Sequence, residues 1–472
     1  MEKKHKKVDK EHKKKRKLNR KIIISAIACL CLIAILIVNF RRDIESKAFS
    51  AVANFLIVRN DAIAENKGQG NSDANYPEEK KPSEKSSGES TDKADQKTGD
   101  SDRKNDASKD TKDTKDTTDD GKTEEQKKEE AFVKEREEGH RKDEYKVLLQ
   151  NLFDSRNQAI LDKDEKLLRS IYDTDKRFGL WAYEHEENKM KYLENWSGKQ
   201  GVNFKTIKTN VKVSNVKEKD KNIYGIICSV STDYAYSYKN QQDKLNTFRI
   251  GTEHYLNVKV GDKGELVITK EWYTDPFADS LSLDKINSDD IMKYIASVEA
   301  PEVAMTDEQK KGVEYAHKYA GIAAEGEESF NSNSNYRNLN PDGGDCANFA
   351  SQIMFESGKF KKNQTWNYYG DSGTKAWVNA QGFKNYMLNS GRGSLIAKGK
   401  YEEIYKEAYN LRPGDIVAYE KNGRITHVST VTGMDTRGYP LVTCHNTDRL
   451  LVPWDLGWSD KKISFHLIKV NY

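Results

Sequence analysis

Gly343–Gly358 reads GGDCANFASQIMFESG, and this stretch decides the fold of the last third of the chain. Two glycines break any preceding element, and Asp345 is a good helix N-cap. Cys346, Phe349, Ala350, Ile353 and Met354 then fall at i, i+3, i+4, i+7 and i+8, one apolar helix face, and Gly358 closes the helix. Cys346 is thereby expected in the first turn, where unsatisfied N–H groups and the helix dipole favour thiolate over thiol. Such a thiolate attacks a carbonyl carbon, and the same N–H groups hold the resulting oxyanion. The plain alternative is a small buried thiol on a core helix.

A base downstream shifts the balance toward chemistry. His427 lies in LRPGDIVAYEKNGRITHVSTVTG, where Asp415–Tyr419 and Arg424–Thr432 read as two strands around a KNG turn. A second hairpin turns at Asp435–Gly438 and returns through Tyr439–Thr447. If Gly438 is the left-handed residue of a three-residue loop, Asp435 faces Tyr439, and His427 lies opposite Thr447 on the face of His445. A two-residue loop places His427 opposite Asn446 instead. Either His445 or Asn446 then orients the imidazole, the third role in a Cys-His-polar triad. Asp345, Asn348, Gln352, Trp366 and Trp377 are candidates for substrate or oxyanion support. Together with Trp454 and Trp458, the last two read either as core or as a rim that stacks sugar or peptide. Cys444 packs on its strand or, in the alternative, forms a silencing disulfide with Cys346. No H-E-x-x-H, C-x-x-C, G-x-S-x-G or P-loop occurs, so neither metal nor cofactor is expected.

Cysteine on a helix N-terminus, histidine on a later strand and a polar residue on the next strand follow the order of papain-like peptidases and amidases. Residues 306–460 resemble the putative amidase domain of clostridial and bacillar envelope proteins, a relative of the NlpC/P60 and CHAP cysteine peptidases. The matching stretches are VEYAHKYAG, DCANFASQ, RPGDIVAY, THVSTVTG and HNTDRLLVPW. The resemblance implies a papain-like α+β domain with Cys346 as nucleophile, His427 as general base and His445 as third residue. Ala347 stands where such domains commonly carry Thr, and Asn446 where Ser or Thr is expected.

Upstream, the chain divides by composition. Residues 1–21 hold 12 Lys/Arg against Glu2, Asp9 and Glu11, while the whole chain is only +4, so the remainder is slightly acidic. This distribution excludes a uniformly basic nucleic-acid binder. Residues 22–40 form an uncharged run whose 19 residues span about 28 Å as a helix, enough to cross a bilayer. The polybasic block before it puts the N-terminus in the cytoplasm and the rest outside. Residues 41–66 read as a juxtamembrane segment and 67–142 as a disordered charged linker. The charged fraction of 33% reflects that linker. Residues 143–279 read as helices followed by strands, an α+β accessory domain whose element order resembles cystatin/NTF2-type folds. In it Trp181, Tyr183, Met190, Tyr192 and Trp196 anchor one helix, and Tyr234, Tyr236 and Tyr238 alternate on a strand. Residues 280–304 are a connector, and residues 305–472 are the papain-like domain, which opens on a Thr306–Gln309 capping box. The expected protein is a single-pass plasma-membrane enzyme of a Gram-positive envelope, with its catalytic domain outside. Its expected substrate is peptidoglycan or another cell-wall peptide. A catalytically silent wall-binding protein and an extracellular protease are the alternatives.

Overall fold

The computed structural model describes residues 124–277, 289–326, 330, 332–458 and 462–472. The apolar run 22–40, the juxtamembrane segment and most of the linker lie outside the described residues. Among the described residues no helix is long and apolar enough to cross a membrane.

The N-terminal part is built from helices α1 (Glu124–Asp162), α2 (Glu165–Ser170) and α3 (Arg177–Gln200) and strands β1 (Val202–Asp220), β2 (Ile223–Tyr238), β3 (Gln241–Val260) and β4 (Leu266–Tyr273). Helix α1 begins inside the segment read as linker, and residues 128–138 are exposed on all sides. From Tyr145 onward an apolar face appears, and Tyr145, Leu149, Leu152, Phe153 and Ile160 are buried against the sheet. Helix α3 buries Tyr183, Met190, Tyr192 and Trp196, and ends on Gly201 in the left-handed conformation. Trp181 does not join these anchors. It is 43% exposed, with the Arg177 guanidinium over its ring. Tyr234, Tyr236 and Tyr238 alternate as the period of two demands, and all three are buried.

Helix α4 (Asp289–Ser297) buries Ile291 and Ile295 and lies within the connector. The C-terminal part contains α5 (Asp307–Lys318), α6 (Cys346–Glu356), α7 (Lys375–Val378), α8 (Ala380–Asn389) and α9 (Tyr401–Ile404). Two short strands, β5 (Tyr368–Tyr369) and β6 (Ser372–Gly373), pair with each other. The main strands are β7 (Gly393–Gly399), β8 (Ile416–Lys421), β9 (Arg424–Met434), β10 (Pro440–Cys444), β11 (Asp448–Pro453) and β12 (Ile463–Val470). Thr306 and Gln309 form the expected capping box on α5.

One antiparallel sheet runs through both parts in the order β1-β2-β3-β11-β10-β9-β8-β12-β7, with β4 also on β3. The outer edge of β3 is shared. Residues His254–Val260 pair with β4, and Arg249, Ile250 and Gly251 pair with Leu450, Arg449 and Asp448 of β11. The two parts therefore share a hydrophobic core, in which Trp196 and Tyr236 are continuous with Tyr419, Val431, Trp454 and Phe465. On the opposite face, α6, α7 and α8 cover a second core containing Ile416, Ala418, Ile425 and Val428. The seam also carries buried polar links. The Tyr236 and Tyr238 hydroxyls donate to Asp435, and Asp455 accepts from Lys199, Trp196 and Tyr439.

An ion network closes the inside of the N-terminal part. Arg156 donates to both Glu271 oxygens at 2.9 and 3.0 Å, and His254 Nδ1 meets Glu271 at 2.7 Å. Burial pushes the Glu271 carboxyl up, but Arg156 and His254 outweigh it and hold it down at about 2. The carboxylate is thus stabilising above its unfolded pKa, and that stability is lost as the pH falls toward 2. Glu271→Ala leaves Arg156 without its bidentate carboxylate, with Glu186 alone to balance its charge, and should cost about 3–5 kcal/mol in urea unfolding at pH 7. The difference between wild type and variant should shrink below about pH 4.

Candidate active site around Cys346

The Cys346 turn depends on its glycines. Gly343 and Gly344 have φ of 109° and 133°, and a Cβ on Gly344 would lie 2.3 Å from the Asn446 amide. Only a residue without a side chain admits that approach. Asp345 occupies the N-cap position, but its side chain makes no capping bond. This corrects the capping expectation. Its Oδ1 accepts from the Leu339 N–H at 3.0 Å and from Asn348 Nδ2 at 2.8 Å, and its Oδ2 pairs with His445 Nδ1 at 2.6 Å. The Asp345 N–H donates to Asn446 Oδ1.

His445 and Asn446 therefore clasp the Cys346 turn rather than orient His427. The second ring nitrogen of His445 donates to the Tyr319 carbonyl at 2.9 Å, and the ring stacks on Phe349 at 3.7 Å. Burial disfavours the charged ring, but Asp345, Asp448 and the Tyr319 carbonyl raise its pKa to about 9. Asn446 and Thr447 are both left-handed, at φ of 75° and 78°. Two such non-glycine residues in sequence are costly, and the clasp holds them.

Cys346 opens α6 as expected, but as a thiol. It is buried, and burial pushes its pKa up to about 12, although N–H groups of Val428 and Ala347 approach the sulfur and favour the anion. Burial thus opposes the thiolate that the helix terminus favours. Cys228, Cys346 and Cys444 are all free, so the silencing Cys346–Cys444 disulfide is not formed.

His427 has a different neighbour from the one expected. The loop after β9 is the three-residue form. Asp435 N–H donates to the Tyr439 carbonyl, and Gly438 is left-handed at φ 73°. An irregularity then shifts the ladder, from Gly433 opposite Leu441 to Val431 opposite Val442. The ladder ends at Thr430 opposite Thr443, so His427 gains no β10 partner. On the other side Tyr419 pairs with His427 and Glu420 with Ile425, leaving Thr426 as an extra residue. Val428 consequently points into the Cys346 core, and the His427 ring points into the opposite core. There it stacks on Trp458 at 5.0 Å and meets Cys444 Sγ through Nε2 at 3.3 Å. Burial, and secondarily the Arg449 guanidinium, lower its pKa to about 3. No hydrogen bond joins His427 to Cys346 among the described residues.

The supporting residues face inward. Trp366 and Trp377 are completely buried and donate to Ser351 Oγ and Asn348 Oδ1, so neither forms a rim. Asn348 Nδ2 donates to the Arg337 carbonyl, and Gln352 accepts from the Tyr315 hydroxyl. Of the four tryptophans, Trp366, Trp377 and Trp454 are core and Trp458 is partly exposed. Sequence reading overlooked Asp448 and Arg449. Their signal is a charged pair heading the apolar run Leu450–Trp454. Among the described residues no cluster of side chains could hold a metal ion.

The Asp345–His445 clasp has a definite pH signature. A histidine with raised pKa contributes stability that is complete below about 6.5 and is lost as the pH rises through about 9. Asp345→Asn should destabilise the fold at pH 7 by about 3 kcal/mol and weaken the decline between pH 7 and 10, Asp448 and the Tyr319 carbonyl still favouring the charged ring, as read by urea unfolding.

Comparison with known proteins bears on this region. A stretch of 150 residues is 29% identical to the uncharacterized protein YjcM of Bacillus subtilis (strain 168), covering 30% of this chain and 31% of that protein. The chain thus matches about a third of its relative's length. The intermembrane space region of the chloroplast protein ARC6 aligns over 27% of this chain and 95% of its own, at 10% identity and a TM-score of 0.20. That likeness is too weak to inform the fold. Residues 306–468, which contain Cys346, His427 and His445, match the family described as "Putative amidase domain".

Proposed function

We propose that the chain hydrolyses amide bonds with Cys346 as nucleophile. The observation that carries this reading is the placement of the Cys346 sulfur at the start of α6, approached by the N–H groups of Val428 and Ala347 beside the Asp345–His445 pair. Those donors suit a thiolate and, after attack, an oxyanion. The amidase-family match over residues 306–468 supports the same reaction class. Cys346 attacks the carbonyl carbon while a base accepts its proton. The proton passes to the departing amine, and water then cleaves the thioester.

His427 is the base in this reading. The amide of its neighbour Val428 meets the sulfur, but its ring faces away, so the described conformation is a resting one. Moving the extra residue Thr426 one position along β9 would transfer His427 to the Cys346 face, because side chains alternate with period two. His445, already bonded through both nitrogens, holds the turn. The proposed substrate is the peptide of peptidoglycan and the proposed location is the outer face of the plasma membrane, on the strength of the basic block and apolar run at residues 1–40 and the envelope-protein resemblance.

A second reading, a catalytically silent wall-binding protein, is favoured by the His427 ring facing away from a Cys346 whose thiol form burial favours. Digestion of purified peptidoglycan followed by mass spectrometry separates the two. Hydrolysis predicts new amine and carboxyl termini in the muropeptides, with a loss of about 10³-fold or more in Cys346→Ala and in His427→Ala. Intact muropeptides with wild-type protein, alongside undiminished binding to the wall, would establish the silent reading. Cleavage of unstructured polypeptide alone would point to a protease.

A further inference from the structure

Arg449 is buried within β11 and has no role in the scheme above. Its Nη1 donates to the Leu456 carbonyl and its Nη2 to the Pro276 carbonyl, each at 2.6 Å. Pro276 follows β4 and belongs to the N-terminal part. A second tie comes from the same side, where the Tyr192 hydroxyl of α3 accepts from the Gly457 N–H at 2.8 Å. Gly457 has φ of 87°, and a Cβ there would lie 2.1 Å from the Pro276 oxygen and 2.7 Å from Arg449 Nη2. The turn is therefore pressed against both ties. The next residue is Trp458, whose indole lies flat on the His427 ring and has the Arg449 guanidinium 5.9 Å from its centroid.

We propose that Arg449 is a positioning residue. Through it, and with Tyr192, the N-terminal helix-and-sheet part holds Trp458 over His427 and sets how readily that imidazole is released. The inference rests on the reading of His427 as the base. It gives the N-terminal part a role in the reaction, since two of its residues fix the cover of a catalytic group. The groups facing the ring are Tyr419 from β8, Cys444 from β10, and Arg449 and Trp458 on either side of the β11 turn. Of these only Arg449 carries a fixed charge.

Diethylpyrocarbonate modification of the full-length chain, resolved by peptide mass spectrometry, tests the latch. His466, buried on β12 against Glu420, reports general loosening, and exposed His140 normalises reagent activity. Tyr192→Phe removes one buried hydrogen bond and should raise the His427 rate about tenfold. Arg449→Lys retains the charge but cannot span both carbonyls, and should raise the rate at least as much. Gly457→Ala, whose methyl would force the turn away from Pro276 and Arg449, should do the same. His466 should be unaffected throughout. An unchanged His427 rate in variants that melt as cooperatively as wild type would overturn the proposal, and so would a parallel rise at His466, which marks a plain structural brace. The modification rates distinguish failure of the latch from failure of the catalytic reading. If no variant or wild type cleaves muropeptides while His427 still responds selectively, the latch stands and the assignment of His427 as base falls.

Discussion

The ladder between Arg249–Gly251 of β3 and Asp448–Leu450 of β11 joins two sheets that would otherwise each end in an unpaired edge. Open edges recruit other strands, and here each covers the other. The approach is tight, since a Cβ on Gly251 would fall 2.5 Å from Ile322. The join brings the β10–β11 turn under the control of the N-terminal part, and that turn carries His445, Asn446 and Asp448. Asp448 accepts the Ile322 N–H at 2.8 Å, and His445 and Asn446 reach across to the Cys346 turn. The geometry of the Cys346 turn is therefore coupled to residues nearly a hundred positions earlier in the chain.

Face alternation is the second constraint. Along β9 every residue chooses between two cores, and the choice is set by irregularities in the ladders on either side. The extra residue at Thr426 gives Val428 to the Cys346 core and His427 to the core shared with the N-terminal part. Both environments are dry. The same desolvation raises the Cys346 thiol and lowers the His427 imidazole, so each group is kept neutral. A pair kept neutral on opposite faces is stable and unreactive.

Much of this was legible in the residues. The spacing of Cys346, Phe349, Ala350, Ile353 and Met354 specified α6 and its first residue, because a helix face is a local property. The KNG turn, the Asp435–Gly438 loop, the Thr306 capping box and the strands around Tyr234 are local in the same sense, and all appear where turn chemistry and periodicity place them. Burial of Trp366 and Trp377 was not legible, since an indole suits a rim as well as a core until its neighbours are known.

What the sequence determined by itself was which segments are helices and strands, and which side chains have the chemistry to attack and to transfer protons. The tertiary structure alone decided who meets whom. A single extra residue in β9 sets the faces of His427 and Val428. Asp345, an ordinary N-cap by position, is taken by His445 because a buried charge-assisted pair is stronger than a capping bond to a neutral backbone N–H. Arg449 finds its carbonyl partners only when the two sheets join. Such pairings depend on contacts distant in sequence, and no local pattern encodes them.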